Sequence, residues 1–123
     1  MTLAKKRARS LEDKSFRRQQ ILDAAAALFQ DVGYEGFSVA LLASKAGVVK
    51  GTLYLYFKTR EEVFLALYDQ SLNRVSERFI AQLTPGITDR ALCELLYEVA
   101  FDDSLYVPLQ ARLEKVIEHN VSI

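Results

Sequence analysis

The sequence predicts an all-α chain: three helices forming a helix-turn-helix unit, then a long linking helix, then part of a further helical region. Three observations predict it. Apolar residues recur every three to four positions in each stretch between breaks, the spacing that lines one face of a helix. Glycine and proline punctuate those stretches, at Gly33, Gly47 and Pro85-Gly86. Hydroxyl or acidic residues stand just ahead of several of them, at Ser38, at Thr59 and at Thr88 or Asp89, where a side-chain oxygen caps a helix start. Half of the 123 residues are hydrophobic and 26% are charged, the composition of a soluble globular chain.

Residues 1–14 hold Lys5, Lys6, Arg7, Arg9 and Lys14 without apolar periodicity and read as mobile. Two uses stand: a solvated tail, or a basic arm that follows phosphates or enters a minor groove. A helix is expected from about Phe16 to Val32, with Ile21, Leu22, Ala25, Leu28, Phe29 and Val32 as its buried stripe. Arg17 and Arg18 in its first turn are either solvated or aimed at phosphate. Gly33 closes this helix, and Tyr34 to Phe37 turn into the next, with Tyr34 and Phe37 read as packing residues.

The stretch from Ser38 to Phe57 organises the rest. Val39, Leu42, Ala43 and Ala46 stand at i, i+3, i+4 and i+7, one face of a short helix with Ser38 as its N-cap. Gly47 supplies the left-handed residue that ends a helix, and Val48 packs against the turn. A second short helix, about Lys50 to Phe57, follows after three residues. In such a pair the second helix is the one that enters a major groove. Its outer side is small, hydroxylated or basic: Lys50, Gly51, Thr52, Tyr54 and Tyr56. Gly51 leaves no side chain between backbone and DNA, Lys50 reaches phosphate or guanine, and Thr52 reaches phosphate or a thymine methyl. Tyr54 and Tyr56 either donate to phosphates or pack. Leu53 and Phe57 point inward.

Thr59 and Glu62 read as a capping box, and Glu61 and Glu62 suit the positive end of the helix that follows, about Arg60 to Leu83. Its stripe is Phe64, Leu67, Tyr68, Leu72, Val75 and Phe79. After Pro85-Gly86 a helix over 88–101 carries Ala91, Leu92, Leu95, Leu96 and Val99 as its core face, with Cys93 read as a small buried hydrophobe. A final helix runs from about Leu105 to Glu118, with Pro108 tolerated near its start.

Residues 1–60 hold 11 Lys and Arg against 5 Asp and Glu, while residues 61–123 hold 5 against 11. The formal charge of zero therefore hides a +6 half and a −6 half, which implies a polyanion partner for the first. The single cysteine fits a reduced cytosolic setting. No stretch approaches the roughly 20 apolar residues that span a bilayer. No metal-ligand or nucleophile–base spacing occurs, so neither an enzyme nor a cofactor is expected.

The run GFSVALLASKAGVVKGTLYLYFKTREEVFLALY, with RRQQILDAAAALFQDVGYEGF before it, resembles the DNA-binding domain of the TetR family of transcriptional regulators. The resemblance covers about Phe16 to Tyr68, and its most specific part is A-G-V-x-K-G-T-L-Y-x-Y-F. It implies a basic arm over 1–14, a DNA-binding domain over 15–75, and part of a C-terminal effector and dimerisation region over 76–123. It implies a cytoplasmic homodimer on a palindromic duplex operator, most often a repressor. Tyr56, Lys58 and Arg60 match positions that hold the DNA backbone. Three departures leave the operator open: Val49 where a hydroxyl cap is common, Leu55 where a polar or aromatic reader is common, and Ala40-Leu41 in place of a polar pair. Ser38, Val49 and Leu55 complete the expected DNA-facing set. The resemblance also implies a small apolar effector, with Phe64, Tyr68, Phe79, Leu92, Leu96, Tyr97, Phe101 and Leu113 as an inward-facing lining or, alternatively, a plain core. Family members usually run longer, so the chain is either a fragment or a shortened member. In either case it is expected to expose an apolar face over 87–117, to bind DNA weakly and to respond poorly to inducer. The rival reading is a helix-turn-helix module that binds protein instead.

Overall fold

The structure, a computed structural model, describes residues 3–120, with side chains from Arg9 to Glu118. Among them are seven helices: α1 Leu3–Gly36, α2 Val39–Ala46, α3 Lys50–Tyr56, α4 Arg60–Gln82, α5 Asp89–Asp102, α6 Tyr106–Gln110 and α7 Leu113–Asn120. They fall into two compact units, residues 1–63 and 64–123.

In the first unit α1 packs on α2, and α2 on α3. Its interior holds Ile21, Leu22, Ala25, Leu28 and Phe29 from α1, Leu42 and Ala43 from α2, and Leu53 from α3, with Phe37, Phe57 and Val63. Two parts of the expectation change here. Helix α1 begins at Leu3, not Phe16, because residues 3–14 are rich in Ala, Leu, Lys, Arg and Glu, which favour helix without any burial. Leu11 and Phe16 on this extension are 67% and 68% exposed, which is why no apolar period announces it. The side chains of Lys5, Lys6 and Arg7 lie outside the described residues. Val32, expected in the buried stripe, is exposed: the chain leaves helical geometry at Gly33 (φ 69°), and Val32 flanks Gly36 instead of the core.

The second unit is built on a cluster of Val75, Leu95 and Val99, with Phe79, Ile87 and Tyr106 packed against it. Thr88 caps α5 by accepting the Ala91 N–H (3.2 Å). The helix expected over 105–118 is two helices, because the Arg112 N–H bonds Leu109 O three residues back and tightens the chain between α6 and α7. Pro108 sits in the first turn of α6, where its missing N–H costs nothing. Cys93 is exposed, not buried, since only the Leu95–Val99 stripe of α5 faces the cluster.

Asp103 holds the turn between α5 and α6. Its Oδ2 accepts from Arg74 Nε (2.6 Å), and its Oδ1 accepts the N–H groups of Leu105 and Tyr106 (3.1 Å each). Burial favours the neutral acid, but the Arg74 guanidinium and the two N–H donors outweigh it and hold the carboxyl below its ordinary value. A depressed folded value means that this stabilisation is complete at neutral pH and is lost as the pH falls through the acid range. Asp103→Asn is therefore expected to cost about 1.5 kcal/mol at neutral pH. Urea denaturation should show the gap to wild type closing below the ordinary carboxylate value of 3.8. A gap that does not change with pH would mean that the ion pair is not what the variant loses.

Candidate nucleic-acid interface

The interface is built from the α2–turn–α3 segment, and short-range hydrogen bonds shape it. Ser38 Oγ accepts the Leu41 N–H (3.1 Å) and starts α2. Gly47 (φ 71°) ends it, with the Gly47 N–H on Ser44 O (3.2 Å) and the Val48 N–H on Ala43 O (3.0 Å). That pair of bonds satisfies the last carbonyls of α2 and reverses the chain into α3. Leu53 is fully buried and Phe57 nearly so, which fixes which side of α3 faces out.

On that outer side stand Lys50, Gly51, Tyr54 and Leu55, all exposed, with Thr52 and Tyr56 half-buried at its borders. Leu55 is 82% exposed, the most exposed large apolar side chain among the described residues. Val49 precedes α3 with no side-chain cap, as its chemistry requires, and is exposed as well. A Cβ on Gly51 would meet nothing within 4 Å, so no neighbour inside the protein demands glycine there. Ser38 Oγ accepts in the α2 cap, a bond that uses its acceptor and not its O–H donor.

Lys58 lies exposed just past α3, but Arg60 does not join it. Arg60 was expected beside Lys58 as a phosphate clamp; the structure turns it inward. Its Nη1 donates to Phe37 O (3.1 Å) and Tyr34 O (3.3 Å), its Nε donates to Glu61 Oε1 (3.0 Å), and its guanidinium lies 4.7 Å over the Tyr34 ring. Burial opposes its charge, yet the bond to Glu61 and the fields of Tyr34, Glu61 and Glu35 raise its pKa above the ordinary value. The reason is geometric: as the first residue of α4, Arg60 lies against the 34–37 turn, whose carbonyls need donors. The capping box also shifts by one. Glu62 N–H bonds Thr59 Oγ1 (3.2 Å), while Glu62 Oε2 accepts from the Lys58 N–H (2.7 Å) instead of the Thr59 N–H.

The cations divide the same way. In the second unit Arg74, Arg78 and Arg90 are each paired with an acid. Among the described residues Lys14, Arg17, Lys50 and Lys58 of the first unit make no ion pair, nor does Arg112 of the second. Arg18 lies 5.2 Å over the Phe57 ring and braces α1 on the end of α3. More of the uncompensated positive charge thus lies in the chain's first half.

The expected effector lining does not form a single inward face. Phe64 is buried, Phe79 packs on the second unit's cluster, and Leu92 and Leu113 are half-buried. Tyr68 is half-buried, stacked on Tyr106 at 6.0 Å, with its hydroxyl on Gln110. Leu96, Tyr97 and Phe101 instead stand outward on α5, 48%, 65% and 57% exposed. Helix α5 is apolar on two sides, and the Leu95–Val99 side is the one that packs. The expectation of an exposed apolar face over 87–117 is met by these three and Ile117.

Together, the tight turn, the buried Leu53 and the open outer side of α3 define a helix-turn-helix protein. Residues 21–67 match the family described as bacterial regulatory proteins, tetR family. The helix-turn-helix part of the chain, over those residues, carries that family's pattern. It is 35% identical over 110 residues to the fatty acid metabolism regulator protein of Bacillus subtilis, covering 85% of this chain and 57% of that protein. It is 38% identical over 100 residues to the transcriptional repressor AcnR of Corynebacterium diphtheriae, covering 81% and 48%. A TetR-family transcriptional regulator of Streptomyces coelicolor shares its fold at a TM-score of 0.65 and 26% identity, over 84% of this chain and 65% of that one. The chain spans about half the length of these curated relatives. Among the described residues no helix is long and apolar enough to cross a membrane.

Proposed function

We propose that this chain carries the DNA-reading part of a transcriptional regulator, acting as a repressor on a palindromic operator bound by two copies. The observation that carries the reading is the outer side of α3: exposed Lys50, Tyr54 and Leu55 around a glycine that nothing in the protein requires. In this reading α3 lies in the major groove, Lys50 and Leu55 meet base edges, and Thr52, Tyr56 and Lys58 hold phosphates. Leu55 offers only apolar contact, which suits a thymine methyl. The named relatives include a repressor, which supports the direction of regulation.

Regulation by a small apolar effector is part of the same proposal and is supported by the relative named for fatty acid metabolism. An effector acts only through a difference in affinity between two states, so binding alone does not establish it. The test of the whole reading is footprinting on genomic fragments. A protected site of two-fold symmetry is expected; salt-sensitive retention with no symmetric protection would reduce the chain to a non-specific polyanion binder. At such a site Leu55→Ala should change the order of preference among operator variants by about 1–3 kcal/mol at one base pair per half-site. Equal loss on operator and random duplex would remove Leu55 from the reading surface.

A further inference from the structure

Along α3, residues four apart stand one above the other and residues two apart stand on opposite sides. Leu53 and Phe57 make the inner stripe, both buried. Two positions before each of them, Gly51 and Leu55 make the stripe that faces straight out. Lys50 and Tyr54 flank that stripe on one side, Thr52 and Tyr56 on the other. The outermost line of the helix therefore carries no side-chain nitrogen or oxygen. Nothing within the fold accounts for this. A Cβ on Gly51 would meet nothing within 4 Å, and Leu55 borders the clefts between α1 and α3 without being covered by them. An aliphatic side chain at the front of a helix in a major groove neither donates nor accepts, so it cannot sort bases by hydrogen bonding. The apolar feature open to it there is the methyl group on C5 of a pyrimidine.

We propose that α3 responds to C5 methylation: the base facing Leu55 is accepted as thymine or as 5-methylcytosine and disfavoured as cytosine. The inference rests on the DNA-reading proposal above and goes further, because the pyrimidine is chosen by its methyl group and not by its hydrogen-bonding edge. Beside C5, thymine presents the O4 acceptor and cytosine the N4 amino donor. 5-Methylcytosine joins cytosine's donor to thymine's methyl at the same ring position. Leu55 meets the methyl in both and has no atom that tells O4 from N4. Over an unmethylated pyrimidine it loses that contact while still crowding polar groove edges, which is unfavourable. Gly51, one turn away on the same stripe, lets the helix backbone approach closely enough for the Leu55 side chain to reach the groove floor. Methylation of cytosine at C5 would then turn a disfavoured site into a favoured one, and binding would follow the methylation state of the duplex.

The experiment measures the affinity of the full chain for the footprinted site, rebuilt one base pair at a time. At each pyrimidine of a half-site and its symmetry mate, four duplexes are compared. Two carry thymine or deoxyuridine opposite adenine, and two carry 5-methylcytosine or cytosine opposite guanine. Deoxyuridine is thymine without the methyl, so methyl and hydrogen-bonding edge vary separately. At one position thymine and 5-methylcytosine are expected to bind alike. Deoxyuridine and cytosine should each bind about four- to fivefold more weakly per half-site, the worth of one buried methyl group. Leu55→Ala should bring the four together, whereas Leu55→Met, still apolar and of similar length, should keep the order. Leu55 is exposed, so thermal unfolding should not move in either variant, which separates lost reading from misfolding. If wild type binds the site and no position follows the methyl, or if the methyl preference survives Leu55→Ala, only this inference falls. Thymine preferred over 5-methylcytosine by as much as over deoxyuridine also overturns it, since the edge is then being read. If wild type binds none of the duplexes even at low salt, the DNA-reading proposal falls and takes this one with it.

Discussion

Arg60→Ala is expected to destabilise the protein by about 2–3 kcal/mol, the sum of lost charge-assisted bonds and a lost cation–π contact. Phe37 O and Tyr34 O would lose their guanidinium donor, and the Tyr34 ring its cation. Arg60→Lys should recover part of this, because an ammonium reaches one carbonyl but lacks the fork that serves both carbonyls and Glu61 together. The same variants should leave the salt slope of DNA binding where it is, whereas Lys58→Ala should lower it by about one. Chemical denaturation, with binding measured where each variant is folded, separates the two roles. A stable Arg60→Ala that loses a unit of salt slope would return Arg60 to the phosphate-clamping set.

Gly51→Ala is expected to have effects of opposite sign on fold and on function. The position is helical and open, so alanine should stabilise the free protein by roughly 0.5–1 kcal/mol through helix propensity. In the proposed complex the new methyl stands between α3 and the duplex and should cost about 1–3 kcal/mol of binding, the range of overpacking in a close-fitted contact. Affinity for the operator would fall by about 5- to 150-fold while the melting temperature rises. An alanine variant that is more stable and binds equally well would show that the duplex does not approach α3 at this point.

The parts of the fold that were legible in the sequence are those closed by hydrogen bonds a few residues long. Ser38 to Leu41, Gly47 to Ser44, Val48 to Ala43 and Thr88 to Ala91 each join residues three to five apart, so residue type and spacing are enough to place α2, its turn and the start of α5. The outer side of α3 follows from the same local information once Leu53 and Phe57 are assigned to the interior. Whatever depends on a partner distant in the chain was settled by tertiary structure alone. Arg60 bonds carbonyls 23 and 26 residues upstream, and nothing near it in the sequence distinguishes that use from holding a phosphate. Helix α5 carries apolar residues on two sides, and periodicity alone does not say which one packs; the cluster with Val75 chose Leu95 and Val99 and left Leu96, Tyr97 and Phe101 outside. At the N-terminus the reverse holds. Residues 3–14 are helical by propensity and the side chains of residues 9–14 are exposed, so the usual signal of burial was silent there while the backbone preference was present. Local bonds are written into neighbouring residues, but burial is a relation between faces, and a face acquires its partner only when the chain has folded.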